Sequence, residues 1–211
     1  GIPLDTTLSR LLFAARFKDL DLLISDQLTN ESPLLLHRTL DDRLGRVAPF
    51  LRFDKDPYLV IDGDGRLVYI QDAYTVSNAF PNAQAFDPDA LPGTGLGSDP
   101  IDYIRNSVKI TMSAYDGTMH FYIADPEDPI VRAYDGVFPG LFEPLDGMPA
   151  SLRDHLRVPE ELFNVQTRVF GRYHVTDPQQ FFRTDDQWTV PQSTSDASSH
   201  TLPSEAYYVI M

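Results

Sequence analysis

Cysteine is absent altogether, which removes disulfides, thiolate nucleophiles and sulfur-ligated zinc and leaves the redox compartment unmarked. Long apolar runs are missing too. Leu11 to Ala15 and Ala206 to Met211 fall far short of the roughly 18 residues that a bilayer-spanning helix requires. Basic residues are scarce, 17 Lys and Arg against 31 Asp and Glu. The net charge of -14 repels phosphate backbones and anionic headgroups, so nucleic acid is not an expected partner. Acidity is also an ordinary route to staying in solution. Gly1 follows no Met and no signal-peptide pattern comes after it, so the chain is expected to be a piece of a longer protein.

What is present suffices for a core. Apolar residues make up 42% of the 211, with 13 Phe and 10 Tyr, and a chain of this size buries roughly 70% of its unfolded surface. Phe13, Phe17, Leu20, Ile24 and Leu28 recur at steps of three and four, which predicts one amphipathic helix from Asp5 to Leu28. Ser32 and Pro33 read as the cap and first turn of a second helix carrying Leu36, Leu40, Leu44 and Val47 up to Pro49, the pair forming a helical hairpin.

The period then changes to two. Tyr58 to Ile61 and Leu67 to Gln71 flank Asp62-Gly63-Asp64-Gly65 as a hairpin, Ala73 to Pro100 reads as a long loop, and Asp99-Pro100 as the cap of one helical turn through Arg105. In Ser107 to Ala124, Val108, Ile110, Met112 and Ala114 alternate with polar residues. A two-residue Asp116-Gly117 turn would set Ala114 opposite Met119, Met112 opposite Phe121 and Ile110 opposite Ile123 on a face turned to the helices. Lys109, Thr111, Ser113, His120 and Tyr122 take the other face, wet or covered by another segment. Short helices are expected after Asp125-Pro126-Glu127-Asp128, over Ser151 to Leu156, from Pro159-Glu160-Glu161 through Tyr173 and after Asp177-Pro178. Gln192 to His200 reads as flexible and Leu202 to Met211 as a strand. The result is a single α+β domain over 1–211, with a helical hairpin and short helices on an antiparallel sheet of at least four strands.

Tyr103-Ile104-Arg105-Asn106-Ser107-Val108-Lys109, Ala114-Tyr115-Asp116-Gly117 and Asp125-Pro126-Glu127-Asp128-Pro129-Ile130 carry a resemblance. Phe138-Pro139-Gly140-Leu141-Phe142, His155-Leu156-Arg157-Val158-Pro159-Glu160, Tyr173-His174-Val175-Thr176-Asp177-Pro178 and Tyr207-Tyr208-Val209-Ile210-Met211 extend it, as do Leu12 to Leu28 and Ile70 to Thr75. With them most of the chain resembles large bacterial multi-pass membrane proteins grouped only as an uncharacterised protein family. The resemblance implies several N-terminal transmembrane helices followed by a large extracytoplasmic region, of which this chain would be part. It carries over no catalytic or binding residue.

The candidate constellations are weak as chemistry. Asp62 and Asp64 open like a calcium loop, but Ala73 stands where the bidentate Glu belongs, so a hairpin turn is the better reading. His37, His120, His155, His174 and His200 include no close helical pair suited to zinc. His174 reads as a helix-end hydrogen-bonding group, and His120, expected opposite Ser113, lacks an orienting carboxylate. Glu160-Glu161, Asp41-Asp42 and Asp185-Asp186 read as solvated helix ends, Leu91 to Gly97 as a loop without a phosphate-binding motif, and Trp188 as core. No catalytic, cofactor-binding or metal residue is therefore assigned, and no cofactor. The expected role is a non-catalytic extracytoplasmic module of an integral membrane protein, for partner or ligand recognition or structural support. Its partners would be the transmembrane part of its own chain and other envelope proteins. The alternative is a hydrolase- or transferase-type enzyme whose pocket gathers His174 or His120 with carboxylates from separate segments.

Overall fold

The computed structural model describes residues 2–25, 27–29, 32–34, 36–87, 96–194 and 201–203. They fall into two compact units, Gly1–Pro49 and Phe50–Met211. In the first, β1 (Ile2–Pro3) is followed by α1 (Thr7–Phe17), α2 (Asp21–Ile24), β2 (Pro33–Leu34) and α3 (Leu40–Val47), and β1 pairs antiparallel with β2. The single helix expected from Asp5 to Leu28 is thus two. Lys18 turns left-handed at φ 55° and ends α1, and the Asp19 carboxylate accepts the Asp21 amide to start α2. The second helix begins seven residues later than Ser32-Pro33 suggested. The Ser32 hydroxyl instead accepts the Thr29 amide and its carbonyl accepts the Leu4 amide, which commits Pro33 to β2. Thr39 caps α3.

The second unit holds β3 (Arg52–Phe53), β4 (Tyr58–Ile61), β5 (Leu67–Ser77), β6 (Tyr103–Ser113), β7 (Met119–Ile123), α4 (Pro129–Val137) and β8 (Phe142–Pro144). A 3₁₀ turn at Leu145–Gly147 leads to α5 (Ala150–Arg153), α6 (Glu160–Tyr173) and α7 (Pro178–Arg183). Then β9 (Gln192–Thr194) pairs with β10 (Thr201–Pro203). The main sheet runs β3-β5-β6-β7-β8 with β4 also on β5, antiparallel except for the unanticipated parallel pair β7·β8. The α+β class and the sheet of at least four strands are observed.

Three expected loops or turns are strand. Ala73 to Ser77 completes β5 and includes fully buried Tyr74 and Thr75, no helical turn precedes β6, and Gln192 to Thr194 is β9. Of the Leu91 to Gly97 loop, 91–95 lie outside the described residues, as do His200 and 204–211; of the strand expected over Leu202 to Met211, the described Leu202 and Pro203 lie in β10.

The β6·β7 register is offset by two from the expected one: Met112 faces Met119, Ile110 faces Phe121 and Val108 faces Ile123. The connection between β6 and β7 has five residues, Ala114 to Thr118. The Ser113 hydroxyl accepts the Tyr115 and Asp116 amides, and Gly117 sits at φ 71° with its amide on the Ser113 carbonyl. An offset of two preserves parity, so Ile110, Met112 and Phe121 remain together and buried. Helices α5 and α6 pack on the other face. Ile70 and Tyr122 pack on Met148 and on Leu152 of α5, Tyr74 packs on Val165 of α6, and Lys109 on that face is only 7% exposed.

Asp128 closes the α4 end of the sheet. It caps α4 through the Ile130 amide and accepts hydroxyls from Thr75, Ser107 and Tyr103 at 2.5, 2.5 and 2.7 Å. Burial pushes its pKa up, but these hydrogen bonds outweigh it and the net shift is below 3.8. A depressed folded pKa contributes stability above the unfolded value and loses it as pH falls through the folded one. Asp128→Asn should therefore cost about 1–3 kcal/mol at neutral pH and flatten the loss of stability below about pH 4, read as urea midpoints against pH. Ile110→Ala should cost about 2–5 kcal/mol at every pH by the same measurement.

Candidate functional site

Helix α6 lacks a cap of its own. Pro159 precedes it and offers no side-chain acceptor. The acceptor comes from across the fold, because Asp54, just after β3, takes the Glu161 amide on Oδ2 at 3.3 Å in the first turn of α6. A carboxylate there meets the positive end of the helix dipole. The Tyr74 hydroxyl donates to the same Asp54 oxygen, and Gln71 Nε2 donates to the Asp54 and Asp72 carbonyls at 2.7 and 3.0 Å.

The network continues along the sheet. Asp72 accepts the Lys109 ammonium and Asn106 Nδ2, the latter at 3.1 Å, and Lys109 also reaches the Arg157 carbonyl at 3.3 Å. Arg157 pairs with Asp56 and lies over the Tyr58 ring at 4.0 Å. Burial raises the Asp72 pKa against the pull of Lys109, and burial together with Asp54 raises that of Tyr74. Glu161, expected in water, is 2% exposed inside this network. Asp54, Gln71, Asp72, Tyr74, Lys109 and Glu161 are buried and line none of the clefts described below; their contacts position α6.

Two kinds of concavity surround them. The first is a polar cleft of about 470 Å³ where the covered face of the sheet emerges toward the β6·β7 loop, lined by Thr111, Ser113, His120, Tyr122 and Glu143 among others. His120 Nδ1 lies 2.8 Å from Glu143 Oε1, both side chains nearly half exposed. The carboxylate partner that sequence reasoning could not supply is thus Glu143, on the unanticipated β8. Ser113 is not opposite His120, as expected, because the two-residue offset puts Thr111 there. Asp62 and Asp116 also line the cleft but serve its turns. Asp62 Oδ1 accepts the Asp64 and Arg66 amides, and the Thr118 amide holds the Asp116 pKa down at about 2. Asp62 and Asp64 therefore form the expected hairpin turn. Among the described residues no group of three or more His, Asp or Glu could hold a metal ion.

The second kind flanks α6. One groove of about 520 Å³ lies between α6 and the 82–86 segment, over Ile101 and Ile104; another of about 630 Å³ lies between α6 and 187–191. Phe86 and Arg168 line both. The second groove depends on Gly171, whose absent Cβ would stand 2.6 Å from the Trp188 carbonyl while the Trp188 amide donates to the Gly171 carbonyl at 3.0 Å. Trp188, expected in the core, is 57% exposed and lies against the His174 ring at 3.9 Å. His174 caps the end of α6 and donates from Nδ1 to the Phe170 carbonyl at 3.1 Å, the helix-end role expected of it. Phe163, outside both grooves, and Phe170, which lines the second, are 50% and 59% exposed, two turns apart on one stripe.

Gly171→Ala would gain up to about 1 kcal/mol in an unobstructed helix. Here it should instead lower the melting temperature and shift the emission of Trp188, the sole tryptophan, to longer wavelength as the 187–191 segment is displaced.

No solved structure matches the chain. A relative from Desulforamulus reducens is 42% identical over 210 residues, all of this chain but 21% of its own length. Relatives from Sulfurovum and from Methanospirillum hungatei are 40% and 42% identical over 212 and 211 residues, 22% of their lengths. All three are described only as UPF0182 proteins, and their sources extend the expected bacterial range to an archaeon. The chain spans about a fifth of the length of these relatives. Residues 1–211 match the model of the Uncharacterised protein family UPF0182 throughout, and the chain belongs to that family.

Proposed function

We propose that this chain is a non-catalytic recognition and support module of a much longer membrane-anchored polypeptide, lying on its extracytoplasmic side. The observation that carries the reading is the α6 face. Phe163, Phe170, Tyr173 and Trp188 each expose about half of their surface on or beside one helix, and apolar surface of that kind marks contact with another body. The occupant we assign is a further segment of the same polypeptide, since the relatives continue for four-fifths of their length beyond the matched part. The extracytoplasmic placement rests on the family resemblance. No helix of the described residues is long and apolar enough to cross a membrane, so on this reading the anchor lies elsewhere in the polypeptide.

A second reading, a hydrolase- or transferase-type activity, is favoured by His120 and Glu143 meeting in a polar cleft. It is the weaker of the two. The nearby hydroxyl of Ser113 accepts amides of its own loop, and Asp62 and Asp116 are taken by backbone amides. If it held, a turnover found for the full-length protein would be lost in His120→Ala; activity that survives the substitution removes this site from consideration.

For the leading reading, cross-linking mass spectrometry on the full-length protein should join the Phe163–Tyr173 region to residues outside this segment. Phe163→Ser with Phe170→Ser should remove those cross-links yet change the stability of the isolated chain by less than about 1 kcal/mol, because both rings are half in water already. A stripe that stays open to solvent-borne labels in the full-length protein contradicts the proposal.

A further inference from the structure

In a chain with 31 acidic and 17 basic residues, the first groove along α6 gathers two cations. Arg168 and Arg172 stand one helical turn apart and both line it, and among the described residues neither takes part in an ion pair. The Arg172 guanidinium lies over the Tyr173 and Phe181 rings at 5.8 and 5.6 Å, a stacking that orders it without neutralising it. Ile101, Ile104, Val165 and Val169 supply an apolar wall. The carboxylate that lines the same groove, Asp102, accepts the Phe80 amide at 3.0 Å on Oδ2.

We infer that this groove binds an apolar-tailed anion, with its aliphatic tail along Ile101, Ile104, Val165 and Val169 and its head group on the guanidiniums of Arg168 and Arg172. A volume of about 520 Å³ lies within the roughly 300–1,000 Å³ of small-molecule sites, which are mostly apolar with a few placed polar groups. Head-group charge decides the class. An alkyl cation meets two like charges, and a neutral alcohol leaves both guanidiniums without a counter-ion as the tail displaces water. A carboxylate or a phosphate ester satisfies them in the forked geometry that arginine favours. The inference deepens the recognition reading by naming a ligand, but it uses other residues than Phe163 and Phe170, so each can fail alone.

The test is titration of the 211-residue chain at moderate ionic strength with dodecanoate and with dodecyl phosphate, each below its micelle-forming concentration. Dodecanol and dodecyltrimethylammonium run beside them, and heat and Trp188 emission are the readouts. One saturable site is expected for at least one anion, at least tenfold tighter than for the alcohol or the cation; which anion binds better separates a fatty-acid source from a phospholipid-like one. Arg168→Gln with Arg172→Gln should weaken anion binding at least tenfold with an unchanged circular dichroism spectrum, and Phe163→Ser with Phe170→Ser should leave it intact. Absence of saturable anion binding, equal binding of the alcohol or the cation, or an undiminished double arginine variant overturns the inference. Absence of the cross-links described above from the unsubstituted full-length protein, with anion binding retained, would sink the docking reading alone.

Discussion

The arrangement of the second unit hangs on one carboxylate. Asp54 accepts the Tyr74 hydroxyl from β5 and the Glu161 amide from α6 on the same oxygen, so the sheet and the longest helix are tied through a single buried group. A helix preceded by proline with no cap of its own would fray at its first turn. Here the missing acceptor is tertiary, and α6 forms in register only where the sheet presents it. The Asp72–Lys109 pair extends the tie: its desolvation is costly and its Coulomb attraction offsets that cost only in place, which selects one docking geometry more than it adds stability.

From that anchoring follows what the outside of α6 can do. The side facing the sheet buries Glu161 and Val165, which leaves Phe163 and Phe170 outward and puts Arg168 and Arg172 beside the apolar start of β6. The C-terminal half of the helix is held by close approach instead of charge, with Gly171 admitting the Trp188 backbone. The aromatic and arginine side chains of α6 are thus carried on an element whose position is set by buried groups of the sheet.

Much of this was legible from local chemistry. Asp128 before Pro129, Asp177 before Pro178, and the Glu160–Tyr173 helix were readable because caps and first-turn prolines act over a few residues, and the face shared by Ile110, Met112 and Phe121 because parity survives a register offset. What could not be read depends on distant partners. The Asp5–Leu28 periodicity is real, but a left-handed Lys18 interrupts it, and apolar spacing does not encode that. Ala73–Ser77 looked like loop because Ala73, Tyr74 and Thr75 alternate weakly, while burial on both faces makes them central strand. Glu161 looked solvated because nothing nearby in sequence announces Asp54. His120 looked partnerless because Glu143 arrives on a three-residue parallel strand below the length at which patterns register.

Hydrogen exchange on Asp54→Ala tests the central claim most directly. If Asp54 supplies the cap and the tie, amides in the first turns of α6 should exchange at least tenfold faster than in the unsubstituted chain, while those of the β5·β6 pairing keep most of their protection. Unchanged protection across Glu160 to Val165, or uniform loss over sheet and helix alike, would contradict it.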